Sequence, residues 1–131
     1  MPKAAIQLQQ IFYRMTKYFI ENFNTANFLT EALYRSKAAS YFTNYRVQHF
    51  IFVRTLIEQA QREGDICSDM NSYEIYTTLQ SILIQPIIIK NNILQQHKNE
   101  PLMDKLKLID VSSESSLQKR LRIAFKGLRP C

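Results

Sequence analysis

The residue types on which catalysis and metal binding depend are few in this sequence, and their spacing does not bring them together. Neither His49 nor His97 stands at metal-ligand spacing from Cys67 or Cys131. The sequence also lacks the motifs of zinc proteases, serine hydrolases, phosphate-binding loops and calcium-binding loops. We therefore expect a protein that is not an enzyme and that holds no metal or cofactor.

The cysteines and the apolar runs bear on the compartment. Cys67 and Cys131 form no C-x-x-C pair, and two free thiols are typical of a reducing cytoplasm. The opening residues, 1–3, lead directly into an amphipathic segment rather than into the apolar core of a secretory signal. The longest apolar run, 82–89, holds eight residues, whereas a membrane-spanning helix needs about twenty. The sequence predicts a soluble, cytoplasmic protein with no membrane partner.

Aromatic residues crowd the first part of the chain, where twelve of the fifteen precede residue 53. Two interpretations stay open, a core packed with rings or a cavity with apolar walls and a few polar groups, as in ligand pockets. In the second, Tyr45 or His49 supplies the polar anchor, although His49 could equally be a partly buried histidine that is satisfied locally. The candidate ligand-binding residues lie on compatible faces of two helices: Phe12, Met15, Phe19, Tyr45, His49 and Phe52.

Basic residues are concentrated near the end of the chain. Of the net charge of +6, residues 1–50 and 101–131 contribute +4 each, and residues 51–100 contribute −2. The last segment carries a basic group that is either a solvated helix face or a binding surface for phosphate or an anionic membrane. Its members are Lys119, Arg120, Arg122, Lys126 and Arg129.

The elements that must position these residues are helices. With 131 residues the chain forms one domain, 1–131, and its two glycines and four prolines are too few for the turns of an all-β protein. Apolar residues recur at steps of three and four through every long segment. The sequence predicts an all-α, single-domain bundle of five to six helices, the main ones being A (4–23), B (27–38), C (41–63), D (72–95) and E (114–126).

Capping residues set the predicted boundaries. Ser40 would cap helix C, whose end is marked by Gly64. Asn71 and Glu74 form a capping box for helix D, and either Ser112 or Ser113 caps helix E. Three further features complete this prediction: a kink in helix D at Pro86, a helical turn from Pro101, and an end to helix E at Gly127.

Helix D is apolar on more sides than three or four neighbours can cover. An exposed apolar patch of this kind is commonly buried by a symmetric partner. We therefore expect a homodimer through helices D and E, with an interface drawn from Leu83, Ile84, Ile87, Ile88, Leu117, Leu121 and Phe125.

Three segments resemble the C-terminal regulatory domain of TetR-family transcriptional regulators. Residues 56–66, LIEQAQREGDI, end a central helix in a Gly-Asp-Ile turn, and residues 73–79, YEIYTTL, open the next helix after the acidic Asp69. Residues 124–130, AFKGLRP, are similar to the Gly-Leu-Arg-Pro tail of that family. The order of the helices agrees over about 4–130.

The resemblance implies a regulatory domain without its DNA-binding part. Helices A, B and C would enclose a small-molecule effector, and helices D and E would form a four-helix dimer interface. The family's helix-turn-helix domain has no counterpart, because no glycine precedes Gly64 to form its turn. The chain would then be a fragment, and it would contact operator DNA only through that missing domain.

Two other functions remain open on the sequence. One is a helical adaptor that takes no ligand and binds a protein through helix D or E. The other is a cationic protein that binds nucleic acid or a membrane surface through helix E.

With no recognition helix in the sequence, we expect this chain to show no sequence-specific binding to DNA at physiological salt. A gel-shift series with a pool of random duplexes checks this expectation, and enrichment of one duplex sequence would contradict it.

Overall fold

The computed structural model describes residues 3–21, 39–97 and 100–130, apart from the side chains of 39–46 and Gln95. These ranges hold helices and no strand, which confirms the predicted all-α bundle of five to six helices. Predicted helix B, 27–38, lies outside the described residues. The described helices are α1 (Ala4–Glu21), α2 (Ala39–Arg62), α3 (Ser72–Leu83), α4 (Gln85–Gln96), α5 (Leu102–Lys107) and α6 (Glu114–Gly127).

One core forms between α1, α2, α3 and α6, which pack against one another in sequence-distant pairs. α1 buries every fourth residue, and its one buried polar side chain, Thr16, donates a 2.8 Å hydrogen bond to the carbonyl of Phe12. α4 and α5 lie at the edge, where α4 contacts α3 and α5 contacts α4. The largest fully buried side chains include Leu8, Phe12, Ile57, Ile75, Leu79, Leu83 and Leu117.

The end of α2 depends on Gly64, as its sequence predicts. Gly64 has φ +83°, a conformation that costs a glycine nothing and strains other residues. Its N–H donates to the carbonyl of Gln61 at 3.1 Å, and the N–H of Asp65 donates to the carbonyl of Ala60 at 3.0 Å. This pair of bonds is the Schellman motif. The turn then sends Ile66 into the core.

The predicted start of α2 is wrong, because Ser40 lies inside the helix. The described helix already includes Ala39, so Ser40 is not the residue that caps it.

The capping box of α3 is confirmed. The Asn71 side chain accepts from the N–H of Glu74 at 2.9 Å, and the Glu74 carboxylate accepts from the N–H of Asn71 at 3.3 Å. Two of the amides that a helix start leaves without partners are thereby satisfied.

Pro86 divides predicted helix D into two helices rather than kinking one. Because proline has no N–H, it cannot donate to the carbonyl of Ile82 four residues earlier. The N–H of Ile87 bonds instead to Ile84 at 3.0 Å, so the Leu83 carbonyl loses its helical partner as well. The guanidinium of Arg120 on α6 replaces that partner at 3.0 Å. The break is therefore stabilised by a hydrogen bond from another helix.

The structure shows which serine caps α6 and where this helix ends. Ser113 is the cap, because its Oγ accepts from the N–H of Ser116 at 3.1 Å and also donates to the Asp110 carboxylate. At the other end the predicted stop at Gly127 is wrong by one residue. Gly127 stays helical without a positive φ, and Leu128 is the C-cap.

Neighbouring serines give a matched test of this cap. Ser113→Ala should lower the free energy of unfolding by about 1 kcal/mol, because the first turn of α6 loses its acceptor. Ser112→Ala should change it by less than about 0.5 kcal/mol, since only the backbone N–H of Ser112 bonds to Asp110. Urea denaturation followed by circular dichroism measures both, and equal losses would contradict the assignment.

Candidate functional site

Tyr76, on the second turn of α3, is the centre of a ring cluster where α1, α2 and α3 meet. Its side chain is only 5% exposed. The ring packs edge-on against Phe50 of α2, with centroids 5.3 Å apart, and against Phe12 of α1 at 6.1 Å. Phe50 in turn packs edge-on against Tyr73 at 5.8 Å. Edge-to-face pairs of this kind add to the stability that burial alone provides.

The hydroxyl of Tyr76 lies inside this cluster and is satisfied there. It lies 2.6 Å from Nδ1 of His49, and the Gln80 side chain donates to it at 3.0 Å. An orientation that fits both contacts runs from the Gln80 amide to the Tyr76 oxygen, and from the Tyr76 O–H to Nδ1 of His49. In that orientation the histidine proton is on Nε2.

Burial lowers the pKa of His49 below its ordinary value of 6.5. A low-polarity environment penalises the charged imidazolium, and the ring of Tyr76, tilted by 53° with its centroid 5.6 Å away, covers one side of it. His49 is therefore neutral at pH 7 and able both to donate and to accept a hydrogen bond. Together, His49, Tyr76 and Gln80 form a polar chain set among aromatic walls.

The structure brings some of the predicted ligand-binding residues to this cluster and separates others. Phe12 is in the cluster, and Met15 and Phe19 lie half-buried further along α1. Phe52 is 66% exposed, whereas its neighbour Val53 is fully buried. The core face of α2 at this turn is therefore the side of Val53, and Phe52 points away from it. Phe52 therefore does not join the ring cluster around Tyr76. The side chain of Tyr45 lies outside the described residues.

The sequence reasoning did not find Tyr76 or Gln80. The periodicity of the sequence counts Tyr76 among the apolar positions of a helix that is predicted to form the dimer interface. The signal was nevertheless present, since a tyrosine at a core position must find a hydrogen-bond partner for its hydroxyl. Gln80 stands one turn after it, at i+4.

Most residues predicted for the dimer interface are buried within the single chain. α6 packs onto α3, and this contact covers apolar side chains of both helices. Ile84 and Ile88 are half-buried, and the other five are core residues: Leu83, Ile87, Leu117, Leu121 and Phe125. The exposed apolar side chains of these helices are different ones, Ile89 and Ile93 on α4 and Ile123 on α6.

Arg120 does not belong to a solvated basic face. Besides the Leu83 carbonyl, its guanidinium donates to the Ser116 hydroxyl at 2.7 Å. Burial lowers the pKa of Arg120, while the charge of Asp110 opposes that shift. Its role is to join α6 to the end of α3.

Neither a metal centre nor a spanning helix is found in the described part of the chain. No group of three or more histidine, cysteine or acidic residues there could hold a metal ion. None of the described helices is long and apolar enough to cross a membrane. No family model, no curated protein and no solved structure matches this chain, so comparison with known proteins assigns it to no family.

Two tyrosines on α3 allow the buried hydroxyl to be tested. Tyr76→Phe should lower the free energy of unfolding by about 1–2 kcal/mol, because His49 and Gln80 each lose a partner. Tyr73→Phe should have an effect under about 0.5 kcal/mol, since Tyr73 is largely exposed and keeps its ring contact. Equal effects in urea denaturation would show that the hydroxyl network contributes nothing.

The lowered pKa of His49 makes stability depend on pH. Below pH 6.5 the unfolded chain binds a proton that the folded chain resists, so the free energy of unfolding should fall as the pH falls from 6.5 through the folded-state pKa. His49→Gln should reduce the loss measured between about pH 7.5 and about pH 5.5. His97→Gln, which changes an exposed histidine and leaves the contact between His49 and Tyr76 in place, is the matched control.

Proposed function

We propose that this chain is the effector-sensing and dimerisation module of a TetR-like bacterial transcriptional regulator that works in the cytoplasm. Its effector would be a small hydrophobic or aromatic compound. One observation carries the proposal: the polar chain of His49, Tyr76 and Gln80 lies among aromatic rings. Ligand pockets combine apolar walls with a few placed polar groups in this way.

The chemistry of the cluster suits an uncharged ligand with one polar group. Neutral His49 can donate from Nε2, and the half-buried ring of Phe50 offers apolar surface to an aromatic body. Half-buried Met15 and Phe19 extend the apolar surface along α1. A charged ligand would find no opposite charge among these residues.

The contacts also offer a route from the ligand to the dimer. His49 is on α2, whereas its partner Tyr76 is on α3, so a ligand that displaces the 2.6 Å contact acts on both helices. At the far end of α3, the Leu83 carbonyl is bonded to Arg120 of α6. A ligand that prefers one arrangement of α2 and α3 would thereby shift the position of α6.

The dimer would be formed by the outer faces of α4 and α6 rather than by the residues first predicted. Ile89 and Ile93 stand at i, i+4 on α4 and make an exposed apolar stripe. On α6, Ile123 is a further exposed apolar side chain, with 63% of its surface accessible. A two-fold axis would cover these side chains with their own copies.

The same exposed isoleucines suit the alternative function, a helical adaptor without a ligand. In that case the partner is a different protein, and the chain itself stays monomeric. The oligomeric state therefore separates the two functions.

A neutral fluorescent probe tests the effector site. N-phenyl-1-naphthylamine should bind with saturation at one probe per chain, because it is aromatic and carries a single N–H. Phe19→Ala should weaken binding by about tenfold through loss of ring contact, whereas the same change at Phe52, which is exposed, should not alter it. The absence of saturable binding would contradict an effector site, and equal effects of the two changes would contradict its placement here.

Light scattering tests the dimer. At micromolar concentration the chain should have twice its 15.5 kDa mass. The double change Ile89→Lys and Ile93→Lys should give a folded monomer, because it places charges in a dry interface. Leu108→Lys, at the exposed end of α5, is the control that should remain dimeric. A monomeric unmodified chain would contradict the dimer and favour the adaptor.

A further inference from the structure

A groove that shares no lining residue with the Tyr76 cluster lies between the first turns of α1, the turn at Gly64 and the second half of α6. Its volume is about 940 Å³, near the upper end of the range for small-molecule sites. The apolar part of its lining is formed by Ala5, Ile6, Ile66, Leu121, Phe125 and Pro130. Ile6 is about half exposed, so a ligand would find hydrocarbon surface there.

The polar part of the lining is strongly cationic. Lys3 lies on the α1 side, and three basic residues come from α6 and the segment that follows it. Arg122 and Lys126 stand at i, i+4 on α6, so they lie on one side of the helix, and Arg129, just past the end of the helix, lines the same groove. Asp65 is the one acidic residue of the lining.

The charges of the groove are not balanced by the protein itself. Lys3 lies 3.9 Å from Oδ1 of Asp65, whereas Oδ2 of this carboxylate is buried without a hydrogen-bond partner, so Asp65 offsets at most one of the four positive charges in the lining. Arg122, Lys126 and Arg129 form no ion pair with any residue in the described ranges. Three like charges on one short stretch repel one another, and a bound anion relieves that repulsion.

We propose that this groove binds a soluble anionic amphiphile, a molecule with a carboxylate or phosphate head and an apolar body. The three unpaired cations would hold the head, and Ile6 with the apolar floor would hold the body. This site is separate from the proposed effector site, since it shares no residue with the polar chain of His49, Tyr76 and Gln80.

The shape of the surface favours this ligand over two other anions. Nucleic acid would need rings for stacking or a protruding basic face, but the only ring in the lining, Phe125, is 8% exposed. A lipid bilayer is flat and cannot enter a concave groove. A soluble molecule can fill the groove, and only such a molecule can use both the apolar floor and the cations.

Nuclear magnetic resonance with a defined probe tests the proposal. Dodecyl phosphate, kept below its micelle concentration, should shift the amide signal of Gly64 with saturation. Gly64 lines the groove and is one of only two glycines in the chain, so its signal is easily assigned. Inorganic phosphate and neutral dodecyl maltoside should each bind at least about tenfold more weakly, because each offers only half of the contacts.

A charge-matched pair of variants locates the site. Arg122→Gln with Arg129→Gln should weaken dodecyl phosphate binding by about tenfold, and glutamine keeps the helix propensity of arginine. Lys105→Gln with Lys107→Gln removes the same charge from exposed α5 and should leave the affinity unchanged.

Three results would overturn the proposal. Equal affinity of both variants would place the ligand elsewhere, and equal affinity for inorganic phosphate would reduce the groove to an anion site. Binding to anionic vesicles without binding to monomeric dodecyl phosphate would identify a membrane surface instead.

Discussion

A buried tyrosine hydroxyl is the constraint around which this bundle is arranged. The ring of Tyr76 fills the space between α1 and α2, and burying its hydroxyl without partners would offset much of what that packing contributes. His49 and Gln80 remove that cost, at 2.6 and 3.0 Å. Since the contact to His49 is short and crosses from α3 to α2, it also restricts how α3 is rotated against α2. The same group therefore stabilises the core and leaves a neutral histidine among aromatic rings.

A second fixed point lies at the break between α3 and α4. Pro86 removes a donor, and the carbonyl of Leu83 is left without a helical partner. Arg120 supplies the missing hydrogen bond from α6 and is itself partly desolvated by doing so. The two polar contacts stand at opposite ends of α3. In the proposed coupling between effector and dimer, a movement of this helix at Tyr76 would reach α6 through this hydrogen bond as well as through the apolar packing of α6 on α3.

The charges of α6 divide between structure and surface. Arg120 turns toward the end of α3, whereas Arg122 and Lys126 line the groove beside α1. The difference follows from helix geometry, because neighbouring residues in sequence are about 100° apart around the axis. One basic stretch in the sequence accordingly contributes to two unrelated features of the structure, an internal support and a cationic wall.

The sequence alone determined the helices and most of their ends. Periodicity located the segments, and Asn71 with Glu74 and Gly64 marked boundaries, because these signals act within about four residues along the chain. Pro86 marked where helix D is disturbed, although the sequence predicted a kink and the structure has two helices. The tertiary structure decided which faces meet. It paired His49 with Tyr76, 27 positions away, and Arg120 with Leu83, 37 positions away. It also exposed Phe52 and buried Leu83 and Leu117 in one chain. A buried polar group takes its partner from whichever helix is packed against it, and that choice depends on the rotation and spacing of whole helices.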